Sequence, residues 1–414
     1  MTITQLNKIN FDKIEENSFW NFGEQKEIGI HKVHVYPAKF PSHIAQKAFE
    51  YCDEKDIIIN RVSDIFCGCG TVSVEARRRD YDFYGCDLNP VAVLISKVKS
   101  SAYDLQLVEN KKKNIIEYFD THEIKAFYSQ ANERLKYWFI ESQYNELYAL
   151  KQAIEQCTEN DKYRELFYCI FSSILKGTSK WLTKSIKPQV DPKKEIHNVK
   201  DSFEKQYKVF IKAIREANFR DNSIVEIEQI NVLDIEKKEY VDLIVTSPPY
   251  VTSYEYADLH QLSSLWLGYT NNYAELRTNS IGSLYNAQDE QIGFLTDTAK
   301  KIVNQFPESA KQRSVARYYS NMNDVMGKAY DLLRIGGVCV VVIGDTEYKG
   351  TKIENARCLA ESFILNGFEI SEISKRKISN KFLPSHRDEN GKFTSQKDAR
   401  KIYSQEYIII GRKR

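Results

Sequence analysis

Short apolar runs that end in glycine or polar residues alternate along this chain with longer segments of helical spacing. Residues 57–70 predict a strand followed by a glycine turn, and residues 71–79 predict the start of a helix. A second short strand is predicted at 83–87, followed by a helix from Pro90 to about Ser101, because proline suits the first turn of a helix. This order of elements predicts a βαβ unit in a parallel sheet.

Further apolar runs extend this sheet, and two long segments interrupt it. Strands are predicted at 241–245, 338–343, 368–373 and 407–410. The segment 103–222 carries Lys, Glu, Leu, Phe and Tyr at helical spacing with almost no Gly or Pro before Gly177, so we expect a mostly helical insertion. The stretch 252–317 is also expected to be largely helical. The remainder, residues 1–102 and 223–414, is predicted to form one α/β domain.

Composition limits the class of protein. The chain has 414 residues, of which 42% are hydrophobic and 28% are charged, so a large core can form and global disorder is excluded. We find no apolar run of the roughly 18 residues that a membrane span needs, and the first residues lack the pattern of a secretion signal. The 8 cysteines are scattered. We therefore expect a cytoplasmic protein with reduced thiols and no membrane contact.

Charge is distributed unevenly, although the net charge is only +2. Residues 176–200 hold 7 basic and 2 acidic side chains, and residues 375–414 hold 12 basic and 4 acidic ones, so the rest of the chain is net acidic. An acidic body with two basic segments favours local contact with a polyanion, since phosphate contacts need local rather than overall charge. Ordinary solvated surface is the alternative.

The two basic segments supply the candidate contacts to a nucleic acid or another polyanion. Lys176, Lys180, Lys184 and Lys187 are spaced at i, i+4, i+8 and i+11, which predicts one face of a helix. A polar loop at 385–401 joins the last two predicted strands and is suited to the groove of a nucleic acid. The basic candidates are Lys180, Lys184, Lys187, Lys375, Arg376, Lys377, Arg387 and Lys392. Tyr254, which follows a proline-rich turn described below, is added to them as a candidate wall of a binding pocket.

A glycine turn at residues 64–71 closes the first predicted strand, with the sequence Asp-Ile-Phe-Cys-Gly-Cys-Gly-Thr. Glycines let the backbone approach a ligand closely, and Asp87 at the end of the next strand is placed to bind a ribose diol. Nicotinamide, flavin and S-adenosylmethionine sites share this geometry, and a plain tight turn is the alternative. Without Gly-x-Gly-x-x-Gly spacing or a phosphate-binding lysine, the turn favours S-adenosylmethionine, which has no phosphates. Cys67 and Cys69 lack a second cysteine pair, so no metal is expected.

A second turn, Ser247-Pro248-Pro249-Tyr250, follows the strand predicted at 241–245. Its prolines stiffen the backbone and remove two amide donors, so carbonyl oxygens and the serine hydroxyl remain as acceptors. Tyr250 adds an aromatic face. This set suits the exocyclic amine of a planar base, which donates N–H protons and stacks on the ring. A proline-stiffened loop without chemistry is the alternative.

Together the two turns resemble those of the amino-methyltransferases of restriction–modification systems, which methylate cytosine N4 or adenine N6 in DNA. Residues 64–71 are similar to the family's Asp-Pro-Phe-x-Gly-Ser-Gly-Thr loop, with Ile65 and Cys69 as departures, and residues 247–250 match its (Ser/Asp/Asn)-Pro-Pro-Tyr motif. Residues 34–41, His-Val-Tyr-Pro-Ala-Lys-Phe-Pro, resemble the segment that closes over the methionine part of the cofactor. The helical insertion lies outside the resemblance.

The resemblance implies an α/β, Rossmann-like S-adenosylmethionine-dependent methyltransferase fold with a mostly helical insertion. It implies that Asp87 contacts the ribose and Asp234, expected at a strand end, contacts the adenine. The implied catalytic residues are Ser247, Pro248, Pro249 and Tyr250. The implied cofactor-binding residues are Tyr36, Pro37, Ala38, Lys39, Phe40, Asp64, Phe66, Cys67, Gly68, Cys69, Gly70, Thr71, Asp87, Leu88, Asn89, Asp234 and Ser247.

The first position of the tetrapeptide bears on the substrate. Serine there, as at Ser247, is typical of the family's cytosine-N4 enzymes, so the resemblance favours N4 of cytosine over N6 of adenine. Double-stranded DNA and a cognate restriction endonuclease are the implied partners. The alternatives are an adenine-N6 enzyme, a tRNA guanine-N2 methyltransferase, and a DNA-binding subunit that has the fold without turnover.

Overall fold

The computed structural model describes residues 1–22, 27–37, 39–185, 187–251, 256–278, 280–281, 283, 285, 291–348, 350–378 and 405–414, and the backbone of three short strands between 378 and 405. The described strands are β1 Arg61–Asp64, β2 Asp82–Cys86, β3 Val225–Glu228, β4 Val241–Thr246, β5 Leu333–Ile343, β6 Thr346–Tyr348, β7 Thr351–Ile353, β8 Glu369–Lys377, β9 His386–Arg387, β10 Phe393–Thr394, β11 Arg400–Lys401 and β12 Gln405–Arg412.

Seven strands form the central sheet, in the order β3-β2-β1-β4-β5-β12-β8. The first five pair in parallel, and β12 runs antiparallel to both β5 and β8. The chain builds outward from β1 to β3 and then returns to β4 on the other side of β1. In open α/β sheets, ligands bind outside the carboxyl ends of the strands where the order reverses. The carboxyl ends of β1 and β4 meet at that point, and the predicted Rossmann-like fold is confirmed.

Apolar residues dominate β4 and β5 in the middle of the sheet, because parallel strands there are buried on both faces. Every residue of β4 is buried. Along β5, Val340 and Val342 face the apolar cluster that contains Phe49 of the helix Ser42–Glu54. Val341 and Ile343 face the opposite cluster, to which the helices Ala310–Leu332 and Asn355–Leu365 contribute. Helices therefore cover both faces of the sheet.

The helices are α1 Ile3–Leu6, α2 Ser42–Glu54, α3 Thr71–Arg78, α4 Pro90–Ser100, α5 Leu105–Thr121, α6 Glu133–Trp138, α7 Glu141–Cys157, α8 Lys162–Ile174, α9 Val199–Ala217, α10 Tyr256–Leu259, α11 Gln261–Trp266, α12 Asp297–Val303, α13 Ala310–Leu332 and α14 Asn355–Leu365. The predicted start of α4 is confirmed, since Pro90 occupies its first turn and the Asn89 side chain caps it by accepting from Val91 N at 3.0 Å. None of the helices in the described ranges combines the length and apolar character needed to traverse a bilayer.

The segment 103–222 contributes α5 to α9, which share one apolar core with the outer face of α4. Trp138, Phe167 and Phe203 are buried in this core together with Leu94 and Val98 of α4. The insertion is therefore mostly helical, as predicted, and it packs directly on the helix that follows β2.

The single helix predicted across the lysines of 176–187 is wrong. Helix α8 ends at Ile174, and Trp181 instead forms an antiparallel bridge with Val190. Backbone hydrogen bonds on either side of this bridge join 180–182 to 189–191. The described residues 181–185 and 187–190 are called the lysine hairpin below. The helix stops because the Gly-Thr-Ser sequence that begins at Gly177 favours turns over helix.

Candidate functional site

The cofactor loop, residues 64–71, leads from β1 into α3. Cys67 N donates to the Cys86 carbonyl at 2.9 Å, so the loop stays paired with the end of β2, and Gly70 N donates to the Cys67 carbonyl at 2.8 Å. Gly70 has a φ of 74°, and a Cβ there would lie 2.3 Å from the hydroxyl oxygen of Ser96 on α4. The glycine therefore permits both the left-handed turn and the close approach of α4.

Asp87 follows β2 and accepts two backbone hydrogen bonds. Gly68 N donates to one carboxylate oxygen at 2.9 Å and Asn89 N donates to the other at 2.8 Å. Burial raises the pKa of Asp87 to about 6, and these two donors oppose the rise. A carboxylate offers about four acceptor positions. Each oxygen therefore retains capacity for a further donor, such as a hydroxyl of a ribose.

Part of the segment 34–41 lies over the cofactor loop. The ring of Tyr36 comes within 3.5 Å of the position that a Cβ on Gly68 would occupy. Lys39 does not extend to the loop with its charge free, because its ammonium donates to Glu27 Oε2 at 3.1 Å and to a backbone carbonyl. The structure thus brings Tyr36 to the predicted site and uses Lys39 to hold the segment together.

The motif at 247–250 follows β4, directly beside the cofactor loop. Ser63 of β1 is the parallel partner of Ile244 of β4, and neighbouring strands lie about 4.8 Å apart. The hydroxyl of Thr246 donates to Oδ1 of Asp64 at 2.7 Å. This buried hydrogen bond ties together two motifs that are 182 residues apart in the chain.

The motif places hydrogen-bond acceptors at the carboxyl ends of the parallel strands. Pro248 is buried, and the other three motif residues are half-buried. Since neither proline has an N–H, carbonyl oxygens and the hydroxyl of Ser247 remain. The Tyr250 ring packs on the same apolar cluster as Phe66 of the cofactor loop, and its hydroxyl donates to Glu406 Oε1 at 3.1 Å. The aromatic ring and the acceptors therefore follow a strand end that adjoins the end of the strand leading into the cofactor loop.

The residues at the loop fit the predicted S-adenosylmethionine. Asp87 retains acceptor capacity, and Gly68 presents backbone without a side chain beneath Tyr36. The hydroxyl of Thr71, at the start of α3, is buried and has no hydrogen-bond partner among the described residues. These groups would hold the ribose and the amino-acid part of the cofactor, and the loop has no lysine for a phosphate.

His260 and Lys99 lie beside the loop, but neither belongs to a sequence motif, so the sequence did not predict them. Nδ2 of Asn89 donates to Nδ1 of His260 at 2.7 Å, and burial lowers the pKa of His260 to about 3, so the ring is neutral at physiological pH. The ammonium of Lys99, on α4, donates to the Cys69 carbonyl at 2.6 Å, and burial lowers its pKa. A lysine on a helix is normally solvated, so only the packing of α4 against the loop reveals this contact.

The remaining predicted cofactor residues occupy varied positions. Asp234 lies in a short 3-10 helix, Val232–Asp234, and does not end a strand as predicted, because β3 already ends at Glu228. Cys67 and Cys69 are buried free thiols, and within the described ranges no three His, Cys, Asp or Glu side chains converge as metal ligands. Pro37, Phe40 and Leu88 are half-buried, and Ala38 lies outside the described residues.

Two of the predicted DNA contacts are buried instead of presented to solvent. Arg376 is 2% exposed and pairs with Glu406, and Lys375 donates to the carbonyl of Asp12 at 2.8 Å. Alternation along β8 does not predict this, because the N-terminal segment covers the strand. Lys377 is exposed. Tyr254, Lys392 and the side chain of Arg387 lie outside the described residues.

The lysine hairpin is anchored to the insertion and, through it, to the chain that follows the motif. The rings of Trp181 and Trp138 stack with centroids 4.9 Å apart. Trp138 Nε1 donates to Oε1 of Gln261 at 2.9 Å, and Arg134 Nε donates to the same oxygen at 2.6 Å. Gln261, which holds Trp138, directly follows His260, which accepts a hydrogen bond from Asn89. The hairpin is therefore connected through Trp138 to a residue beside the cofactor loop.

Comparison with known proteins gives consistent matches. The family model described as DNA methylase matches residues 241–414. The chain is 22% identical over 398 residues to Type II methyltransferase M.MvaI of Kocuria varians, covering 86% of this chain and 85% of that protein. It is 25% identical over 153 residues to Type II methyltransferase M.MjaII of Methanocaldococcus jannaschii, covering 35% and 28%. The rRNA methyltransferase aviRa of Streptomyces viridochromogenes aligns with a TM-score of 0.31 and 10% identity over 95% of this chain and 92% of that one.

Burial of Asp64 has a measurable consequence for stability. Burial raises its pKa to about 7, the hydrogen bonds from Thr246 and Phe66 oppose the rise, and the charge of Asp87 adds to it. The usual value is about 3.9. Because the folded chain holds this proton more tightly than the unfolded chain, we expect the free energy of unfolding to fall as pH rises from about 4 to about 7.

The substitution Asp64→Asn keeps an acceptor oxygen for Thr246 and removes the titration. We expect its melting temperature at pH 8 to exceed that of the wild type by roughly 2 °C or more, with the gain shrinking towards pH 4. Thermal unfolding followed across this pH range measures it. Asp53→Asn, on the surface of α2, is the control, and a variant with the wild-type pH slope would contradict the prediction.

Proposed function

Because this chain belongs to the DNA amino-methyltransferase family, we propose that it transfers a methyl group from S-adenosylmethionine to the N4 amine of cytosine at a specific sequence in duplex DNA. The observation that carries the proposal is the hydrogen bond from Thr246 to Asp64. It keeps the acceptor-lined motif beside the cofactor loop, and such proximity of two reactants is a large part of enzymatic rate acceleration.

The motif supplies orientation and electrostatics. The Ser247 hydroxyl oxygen and the Pro248 carbonyl accept hydrogen bonds from the two amine protons, which raises the electron density on the nitrogen and directs its lone pair. Tyr250 stacks on the base after the base has left the duplex, at a cost of roughly a few kcal/mol. When bound, S-adenosylmethionine supplies an electrophilic methyl group on a sulfonium sulfur. No cysteine nucleophile is required.

The choice of cytosine N4 over adenine N6 rests on Ser247, the residue type found in the family's cytosine-N4 enzymes. Modification-sensitive sequencing of DNA from cells that express the chain tests it, because the method reports base, atom and site together. N4-methylcytosine at one recurrent sequence is the expected result. N6-methyladenine would overturn the choice of base, and methyl transfer to total tRNA without transfer to duplex DNA would overturn the DNA substrate.

The lysine hairpin is the proposed DNA contact of the insertion. Lys184 and Lys187 are exposed on it, and Lys180 at its base lies 5.8 Å from the ring of Tyr137. Anchoring of the hairpin through Trp181 and the insertion to Gln261 connects it to the chain that follows the catalytic motif. Two exposed ammonium groups on a supported turn are suited to backbone phosphates, which position DNA without reading its sequence.

Reversing both hairpin charges, Lys184→Glu with Lys187→Glu, is expected to weaken DNA binding roughly 10-fold at low salt. Loss of two phosphate contacts reduces the slope of log affinity against log salt by about 2. Anisotropy titrations of a labelled duplex over a range of salt concentrations measure both quantities. The matched control is Lys212→Glu with Lys238→Glu, whose side chains are 79% and 74% exposed elsewhere. If the two double variants had the same slope of log affinity against log salt, the hairpin would not contact the DNA.

A further inference from the structure

We propose that Glu406 is a positioning residue for methyl transfer, which holds the ring of Tyr250 in its stacking position, and that Arg376 fixes Glu406 in turn. This inference rests on the proposed function, in which Tyr250 stacks on the target base. It adds two residues from the last part of the chain to the support of the catalytic motif.

The contact spans two strands of the sheet. Tyr250 follows β4, whereas Glu406 is the second residue of β12, and β5 lies between those strands. The Tyr250 hydroxyl donates to Glu406 Oε1 at 3.1 Å. The hydroxyl stands at the far end of the ring from the backbone, so this bond fixes the end that packing around the Cβ leaves free to swing. A ring tethered at both ends presents one face at a constant angle.

The position of Glu406 is itself determined by a buried ion pair. Arg376 of β8 is its direct cross-strand partner, and a guanidinium nitrogen lies 2.5 Å from Oε2 of the carboxylate. The two carboxylate oxygens are thus divided, one for Arg376 and one for Tyr250. Arg376 is 2% exposed and the side chain of Glu406 is 15% exposed.

Stability alone is a weak reason for this pair. Desolvating two charges costs about as much as their attraction returns, and apolar residues of similar size often stabilise a fold equally well. A charged hydrogen bond to a phenol does, however, restrict the ring more strongly than a neutral one, because bonds to ionised acceptors are shorter and stronger. The pair is therefore suited to positioning the aromatic ring.

The test compares three variants. Tyr250→Phe removes only the hydroxyl, and Arg376→Met with Glu406→Leu removes both charges together, so no lone charge is left buried. The third variant combines all three substitutions. We expect Tyr250→Phe and the paired variant each to lower kcat on unmethylated DNA roughly 10-fold, equivalent to one hydrogen bond with a charged group. The triple variant should be no slower than either, since all three changes remove the same restraint.

Affinity for S-adenosylhomocysteine, measured by calorimetry, should be unchanged in every variant, which separates positioning of the base from disruption of the cofactor site. Glu369→Gln is the matched control, because Glu369 pairs with Arg414 at the other end of the same two strands, and it should retain wild-type turnover. If the paired variant does not fold, Tyr250→Phe still tests whether the hydrogen bond from the tyrosine hydroxyl to Glu406 contributes to turnover, since this substitution alters no charge.

Wild-type turnover by Tyr250→Phe, or losses that multiply to roughly 100-fold in the triple variant, would overturn the inference and leave the proposed function intact. No methyl transfer to DNA by the wild-type chain, with its cofactor affinity intact, would overturn the proposed function and this inference with it.

Discussion

Replacing Ser247 by alanine is expected to lower methyl transfer to DNA about 100-fold to 1,000-fold, the size of effect that follows loss of one preorganised hydrogen-bonding group. The cavity left by the hydroxyl is small, and the strand that carries the motif is buried at every position, so the fold should persist. Affinity for S-adenosylmethionine should stay within about twofold of wild type, because the cofactor loop follows a different strand. Tyr250→Ala should lose a comparable factor through the missing stacking surface.

Tritiated methyl incorporation into unmethylated DNA and calorimetry with the cofactor provide the two measurements. Ser371→Ala, on the edge strand β8, is the matched control and should behave as wild type. If Ser247→Ala kept full turnover, the acceptor set would reduce to backbone carbonyls, and the assignment of the serine hydroxyl to the amine would be wrong.

The second large effect is expected for Asp87→Ala, which should weaken cofactor binding roughly 100-fold, as two hydrogen bonds from ribose hydroxyls to a charged acceptor are lost. The same carboxylate also accepts from Gly68 N and Asn89 N, so its removal loosens the cofactor loop as well. Maximal turnover at saturating cofactor should fall much less. Asp53→Ala, on the surface of α2, provides the control, and wild-type affinity in Asp87→Ala would place the ribose elsewhere.

The pH dependence of binding tests the same carboxylate without changing the fold. Burial raises the pKa of Asp87 to about 6, and the ionised form is the stronger acceptor. Cofactor affinity should therefore be constant above about pH 7 and decline as pH falls through 6. Asp87→Asn cannot titrate, so its weaker binding should show no such decline. A parallel decline in both proteins would assign the effect to another group.

Local sequence was sufficient for the elements that form the sheet. The runs at 241–245 and 338–343 lie within β4 and β5, and the glycine turn at 64–71 does join β1 to α3. These elements depend on burial of apolar runs and on the backbone freedom of glycine, which are properties of neighbouring residues. The helical insertion was predictable for the same reason.

Local sequence predicted structure and exposure wrongly where contacts with distant residues outweigh the preferences of neighbouring residues. The lysines of 176–187 have helical spacing, yet Trp181 stacks on Trp138 and the segment forms a hairpin. Lys375 and Arg376 look like an exposed basic patch, yet partners from the N-terminal segment and β12 bury them. Charge counts report how many ions a segment carries and not which of them reach solvent.

By itself, the sequence determined the two chemical parts of this protein: a glycine loop for an adenosyl cofactor and a rigid, acceptor-lined turn that ends in an aromatic ring. Only the tertiary structure decided that they stand side by side, through the hydrogen bond from Thr246 to Asp64, and that Glu406 and His260 join them. The physical reason is that strand order follows from how whole strands and helices bury their faces together. Contacts between residues far apart in the chain therefore exist only once the entire sheet has assembled.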